Sequence, residues 1–214
     1  MFDQAQLYPI LSIATVLLFA IVFHECAHGF VADKLGDPTA RLEGRLTLNP
    51  IPHIDLFGTI LLPLMTMFAG MPFGYAKPVP VTTTNLRNPR WDSVWVSLAG
   101  PVSNLVLALV AAFVIAVVSR SGAASTAEFL IPLMWTAVGV NVSLAVFNLI
   151  PIPPLDGSWI LMGILPLNWA IRYSQIRPYG FMILIALMWT RTLSLIISWP
   201  RSILFDVFHS IASL

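Results

Sequence analysis

From Tyr8 to Phe23 the chain carries no charged side chain, and this run ends in His24-Glu25-Cys26-Ala27-His28. A helix of roughly 17–25 apolar residues is long enough to cross the hydrocarbon core of a bilayer. Lipid offers no hydrogen-bond partners, so a lone spanning segment must satisfy its own backbone, which means a helix. On a helix, residues four apart share a face, so His24 and His28 can aim their imidazoles at one point. Glu25 follows the first of them and can reach the open side of a metal held there. Two ligands and a base in this H-E-x-x-H spacing form the helix of zinc hydrolases. The bland alternative is a helix whose polar groups merely line a bundle interior. Each ionisable group at membrane depth costs about 2.5–3.5 kcal/mol, however, and three within five residues is expensive packing.

The rest of the composition agrees with a membrane setting. Of 214 residues, 57% are hydrophobic and only 10% charged, with a mean hydropathy of +0.84, whereas soluble domains carry about 25% charged residues. The expectation is a single membrane-embedded domain over residues 1–214, multi-pass in the cell membrane, with no sizeable extramembrane module. A net charge of +1 gives no reason to expect a nucleic-acid partner. The single cysteine, Cys26, excludes an intrachain disulfide. It lies on a different helix face from the two histidines, where packing is its expected role. No basic n-region precedes the first apolar run, so no cleavable signal peptide is expected.

Along the chain, the first span is expected from about Tyr8 to Val31. Asp33 to Asp55 is polar, and the alternation in Arg45-Leu46-Thr47-Leu48 suggests a short strand. Leu56 to Ala76 is uncharged but broken by Gly58, Pro63, Gly70, Pro72 and Gly74, as in a kinked span or a re-entrant segment. Ser93 to Ser119 and Phe129 to Ile150 read as spans. Gly157 to Ile171 is a shorter apolar stretch, and Tyr179 to Trp199 is a last span that must accommodate Arg191. The fold class is therefore an all-α membrane protein, a polytopic transmembrane helix bundle of about five to six segments with a small β-hairpin or sheet near the active site. Lys34, Arg41 and Arg45 after the first span favour its C-terminal end facing the cytosol, against competition from Lys77, Arg87 and Arg90.

A catalytic zinc site keeps three protein ligands and one open position, so a third ligand is needed. The candidates are His53, Asp55, Asp156, Asp206 and His209. Membrane economics selects Asp156, set between two apolar stretches in Asn148-Leu149-Ile150-Pro151-Ile152-Pro153-Pro154-Leu155-Asp156-Gly157. The prolines stop the preceding helix, so the chain can bend and aim a carboxylate inward. The alternative is an ordinary loop with an N-capping Asp.

Together, an H-E-x-x-H on an early membrane helix and N-x-x-P-x-P-x-L-D-G resemble the site-2 protease family of intramembrane zinc metallopeptidases. Gly44-Arg45-Leu46-Thr47-Leu48-Asn49-Pro50 and Gly100-Pro101-Val102-Ser103-Asn104 also resemble family elements. The resemblance runs from about His24 to Gly157 and points to a short branch without PDZ or CBS domains. It implies one Zn2+ per chain held by His24, His28 and Asp156, with Glu25 as general base and Asn148 as a polar group near the reacting carbonyl. The implied function is cleavage of transmembrane segments of membrane proteins, so the partners are a transmembrane protein or peptide substrate and the lipid bilayer, with no nucleic acid.

Two other functions compete. A catalytically inactive zinc-binding protein has no need of Glu25 beside the metal. An ion transporter would usually show internal repeats, and none is visible. Among the remaining polar residues, Asn104 suits either the site or an interhelical hydrogen bond. His53 and Asp55 read as an interfacial loop pair, with support of a metal ligand as the alternative. Arg191 is expected to snorkel or face the bundle. Trp91, Trp95, Trp189 and Trp199 read as interfacial anchors. Nothing assigns a role to Asp206 or His209.

Overall fold

The computed structural model describes residues 4–55, 58 and 77–214. The expected kinked or re-entrant segment Leu56 to Ala76 thus falls, Gly58 apart, outside the described residues. The helices are α1 (Gln4–Lys34), α2 (Thr39–Leu42), α3 (Pro89–Arg120), α4 (Ala124–Asn148), α5 (Asp156–Ile164), α6 (Leu167–Ser174), α7 (Gly180–Trp189) and α8 (Thr192–Ala212). Three are long and apolar enough to cross a membrane, over Leu7–Lys34, Pro89–Arg120 and Ala124–Asn148. A fourth candidate is the pair Leu167–Trp189 and Thr192–Ala212, bent by 82°.

Three or four spans among the described residues are fewer than the five to six expected. The Gly157 to Ile171 stretch is two short helices, α5 and α6, parted at Leu165-Pro166, because proline cannot continue a helix. The expected Tyr179 to Trp199 span breaks at Arg191, whose φ of 58° is uncommon for a residue with a side chain. At 10 residues, α7 is about 15 Å long and too short to cross alone.

No strand occurs among the described residues, so the β element expected at Arg45 to Leu48 is absent there. The chain at this point is tied by side chains instead. The Arg45 guanidinium donates to the carbonyls of Lys77 (3.0 Å) and Pro78 (3.4 Å). The Thr47 carbonyl accepts from the Cys26 thiol (3.0 Å) and His53 Nε2 (2.9 Å). In the facing stretch, Pro78 and Pro80 have no N–H to offer a ladder.

α3 is the central element, in contact with α1, α4, α5 and α8. Its Ala108, Ala111 and Ala112 pack on Val138, Val142 and Val146 of α4, and Phe208 and Ala212 of α8 close the same cluster. Small side chains let membrane helices approach closely, where dispersion and not water exclusion binds them. Large apolar residues such as Phe19, Phe30 and Phe113 face outward, as a lipid-facing surface requires.

Beyond α1 the polar connections are organised by Asp37, which is fully buried. It accepts hydrogen bonds from Thr82 N (2.6 Å), Asn85 Nδ2 (3.0 Å), Thr39 N (3.2 Å) and the Thr39 hydroxyl. Burial alone would push its carboxyl up, but the donors from Thr39, Asn85 and Thr82 outweigh it and hold the group below its ordinary value of 3.8. A depressed folded pKa stabilises the fold above the unfolded value, and that contribution is lost as pH falls through the folded value. Asp37→Asn should therefore lower stability at neutral pH by about 1–3 kcal/mol. The gap from wild type should close below about pH 4. Thermal unfolding of both proteins in one detergent across a pH series checks this; a gap independent of pH would refute it.

Candidate metal centre

α1 presents both histidines on one face, as the four-residue spacing dictates. Their rings are nearly perpendicular, at 86°, and both are buried. The two Nε2 atoms lie 3.0 Å apart. Asp156, the first residue of α5, places Oδ2 3.1 Å from His24 Nε2 and Oδ1 3.3 Å from His28 Nε2. Edges of a tetrahedron drawn around zinc with ligands at 2.0–2.1 Å are roughly 3.3 Å, so these spacings suit that ion.

The hydrogen bonds behind the rings fix which nitrogens face inward. His28 Nδ1 lies 2.7 Å from the Val96 carbonyl, which can only accept, so Nδ1 carries the proton. His24 Nδ1 lies 2.7 Å from Asn104 Oδ1. The orientation of that amide is set on its other side, where Asn104 Nδ2 donates to the Ala20 carbonyl at 3.2 Å. In their neutral forms both Nε2 atoms are therefore bare lone pairs, facing each other and a carboxylate. Consistently, Asp156 Oδ2 is buried with no hydrogen-bond donor, despite an imidazole nitrogen at 3.1 Å. One proton could relieve only one of these contacts, whereas a divalent cation satisfies all three. This is the donor set of a metal ion, with each imidazole held by an acceptor on its far nitrogen.

The backbone leaves room for it. A Cβ placed on Gly100 of α3 would lie 2.5 Å from His28 Nε2 and 2.6 Å from His24 Nε2, so only glycine lets α3 come this close. Asp156 is held on a proline hook. A Cβ on Gly157 would collide with the carbonyls of Leu149 and Ile150, and one on Gly180 with that of Pro153. Tyr173 donates to the Pro151 carbonyl at 2.8 Å. Arg90 caps the far end of α5 through the carbonyls of Gly163 (2.8 Å) and Leu165 (2.6 Å). The positive end of the α5 dipole favours the ionised carboxylate that a metal needs.

Glu25 lies on the neighbouring face of α1, and its Oε2 accepts from Val79 N at 2.8 Å. With Asn148 and the three metal-facing residues it lines a cavity of about 650 Å³. Asn148 ends α4 and donates one amide hydrogen to the Leu144 carbonyl at 3.0 Å. The structure thus gathers His24, His28, Asp156, Glu25 and Asn148 around one space.

The other candidates lie elsewhere. His53 is buried and bonded to Thr47, and Asp55 accepts from Gly58 N at 2.6 Å; neither lines the cavity. Asp206 and His209 sit on α8, His209 stacked 5.3 Å from Trp135. Arg191 marks the bend between α7 and α8. Trp91, Trp95, Trp189 and Trp199 all face outward. Sequence reasoning missed the Val96 carbonyl, which no side-chain pattern announces. It also missed Asn141, whose only signal was an amide inside an apolar span.

A buried two-histidine, one-carboxylate centre among membrane-spanning helices defines a membrane-embedded metalloenzyme class. Peptidase family M50 matches residues 12–129 and 114–190, and the chain belongs to this family of integral membrane zinc metalloproteases. It is 41% identical over 200 residues to a Bacillus subtilis protein named "Putative zinc metalloprotease YwhC", covering 91% of this chain and 86% of that one. It is 29% identical over 181 residues to "Putative zinc metalloprotease Rip2" of Mycolicibacterium smegmatis, covering 83% of this chain and 66% of that one. The Rip2 of Mycobacterium tuberculosis is 31% identical over 150 residues, 65% of this chain and 52% of its own length. No solved structure matches the chain at a significant level.

The close approach at Gly100 makes a direct test of the centre. Gly100→Ala should weaken zinc binding more than about tenfold, while improving rather than harming local helix propensity. Competition with a chelating dye measures the affinity; wild-type affinity in this variant would show that the ion lies elsewhere.

Proposed function

We propose that this chain is a zinc-dependent intramembrane endopeptidase that cleaves transmembrane segments of membrane proteins, with one zinc per chain held by His24, His28 and Asp156. The observation that carries this reading is the pair of bare Nε2 atoms 3.0 Å apart facing the Asp156 carboxylate, with Glu25 in the same cavity. A zinc site kept only for structure has no use for that base. The relatives' names, each beginning "Putative zinc metalloprotease", support the same reading.

When bound, zinc supplies Lewis acidity at the scissile carbonyl and lowers the pKa of water to about 7. Glu25 removes the proton from the attacking water and passes it to the leaving amine nitrogen. Its Oε2 is occupied by Val79 N, which orients the carboxylate and leaves Oε1 for that proton. Asn148 spends one amide hydrogen on Leu144; the second is available to the carbonyl oxygen as negative charge develops there. The substrate is expected to enter partly unwound, because a helix in lipid already satisfies its own carbonyls and hides its peptide bonds.

Proteoliposomes holding the protein and a helical transmembrane substrate test this, with and without a chelator. Glu25→Gln should keep its zinc and lose about 10²-fold or more in turnover, while His24→Ala and Asp156→Ala should lose both zinc and activity. Full zinc occupancy in either ligand variant, or normal turnover without Glu25, would end the proposal. Matched substrates should be cleaved faster when Gly, Asn or Pro near the scissile bond weakens the helix. Equal rates would mean that helix opening is not limiting.

A further inference from the structure

Behind His24 the hydrogen bonds do not stop at Asn104. Asn104 Nδ2 also donates to Asn141 Oδ1 at 2.9 Å, and Asn141 Nδ2 donates to the Ala137 carbonyl at 2.9 Å. Both amides are almost wholly enclosed, Asn104 at 0% and Asn141 at 3% exposure, on helices whose shared core is apolar. Amides in such surroundings are costly unless every group is paired. The path runs from α4 through α3 to the metal-facing side of α1, and it allows only one orientation. The Ala137 carbonyl can only accept, so Asn141 must turn its oxygen toward Asn104. Asn104 must then turn its nitrogen toward Asn141 and Ala20, and its oxygen toward His24. His24 must place its proton on Nδ1, leaving Nε2 bare.

We infer that Asn141 is a positioning residue that acts through Asn104 to hold His24 in the orientation and tautomer needed for metal binding. Neither amide is among the groups that line the cavity. Were Asn104 flipped, its N–H would face His24 Nδ1, and the ring would answer by moving its proton to Nε2, where it would block ligation. The Ala20 carbonyl resists that flip alone; the Asn141 oxygen adds a second acceptor on the same side. His28 receives the equivalent service from a backbone carbonyl, Val96, which cannot flip. The two ligands are thus locked by different means, and only the His24 lock depends on side chains that substitution can remove.

This inference rests on the proposed zinc ligation, and the measurement is chosen to separate the two. Zinc itself is the probe, its affinity measured by chelator competition on the full chain in lipid nanodiscs. Asn104→Leu should weaken zinc binding by about 10- to 100-fold, and Asn141→Leu by about tenfold, as expected for groups that orient a ligand. The double variant should bind no more weakly than Asn104→Leu alone, because Asn141 has no route to His24 without Asn104. Asn104→Asp keeps an acceptor for His24 Nδ1 but sets its other oxygen against the Ala20 carbonyl and Asn141 Oδ1, so it should bind zinc more tightly than Asn104→Leu and less tightly than wild type. Cobalt loading gives a second readout, since a misoriented His24 changes the visible absorption of the bound ion. If the amides only glue helices together, the variants will lose thermal stability additively with zinc affinity unmoved, and that result overturns the inference. Additive losses in zinc affinity overturn it as well. Where a leucine variant fails to fold, Asn104→Ser and Asn141→Ser complete the same cycle. Failure of the ligation reading looks different: wild type would bind no zinc, or His28→Ala would bind it normally, and the inference falls with it.

Discussion

Two bare imidazole nitrogens 3.0 Å apart, facing a carboxylate between apolar helices, repel one another unless something positive lies among them. Much of the molecule is arranged to keep them there. The Val96 carbonyl and the Asn104 oxygen hold the protons on the far side of both rings. Gly100 lets α3 come within contact of the pair. The proline hook, capped by Arg90 and backed by Tyr173, holds Asp156 in place. Such an arrangement is unstable as a core and stable as a cage. A divalent cation would convert three mutually unfavourable groups into ligands, so under the proposed function metal binding and the local fold are expected to be strongly coupled.

The same centre organises the polar connections. Residues 77–82 run without helical hydrogen bonds beside the cavity, and three charged side chains fasten them. Arg45 holds the carbonyls of Lys77 and Pro78, Glu25 accepts from Val79, and Asp37 accepts from Thr82. Each of these pairs a charged side chain with a backbone group, and Lys77 N adds a backbone bond to the His53 carbonyl at 3.0 Å. Glu25 therefore has two duties. It is oriented by the connection, and it helps to keep that connection against α1.

The sequence made the His pair legible because the i, i+4 relation is a property of the helix itself, and Asp156 legible because a carboxylate flanked by prolines between apolar stretches is costly without a purpose. The H-E-x-x-H spacing carried Glu25, and the family resemblance Asn148, to the same place. Other features depended on tertiary geometry. Alternation at Arg45 to Leu48 resembled a strand, yet among the described residues none forms, and the stretch is tied through the Arg45 guanidinium and the Thr47 carbonyl instead. The apolar run around Arg191 read as one span, but a single left-handed residue turns it through a sharp bend. The amide pair Asn104 and Asn141 lies 37 positions apart, and only the packing of α3 on α4 brings the two together. The Val96 carbonyl had no side-chain signature at all.

The shared lining of the cavity bears on how a substrate is handled under the proposed function. Glu25, Asn148 and the three metal-facing groups all border one space, so the scissile peptide must come within reach of all five at once. A peptide bond inside an intact helix is hidden by its neighbours and already bonded through its carbonyl, so the stretch beside Glu25 and Asn148 must give up its internal hydrogen bonds. The carbonyls and amides released by unwinding need new partners in a medium that offers none outside the cavity. Each further residue unwound frees more backbone groups to be paired, so confinement of the opening to the cavity follows from the chemistry of the peptide group in lipid.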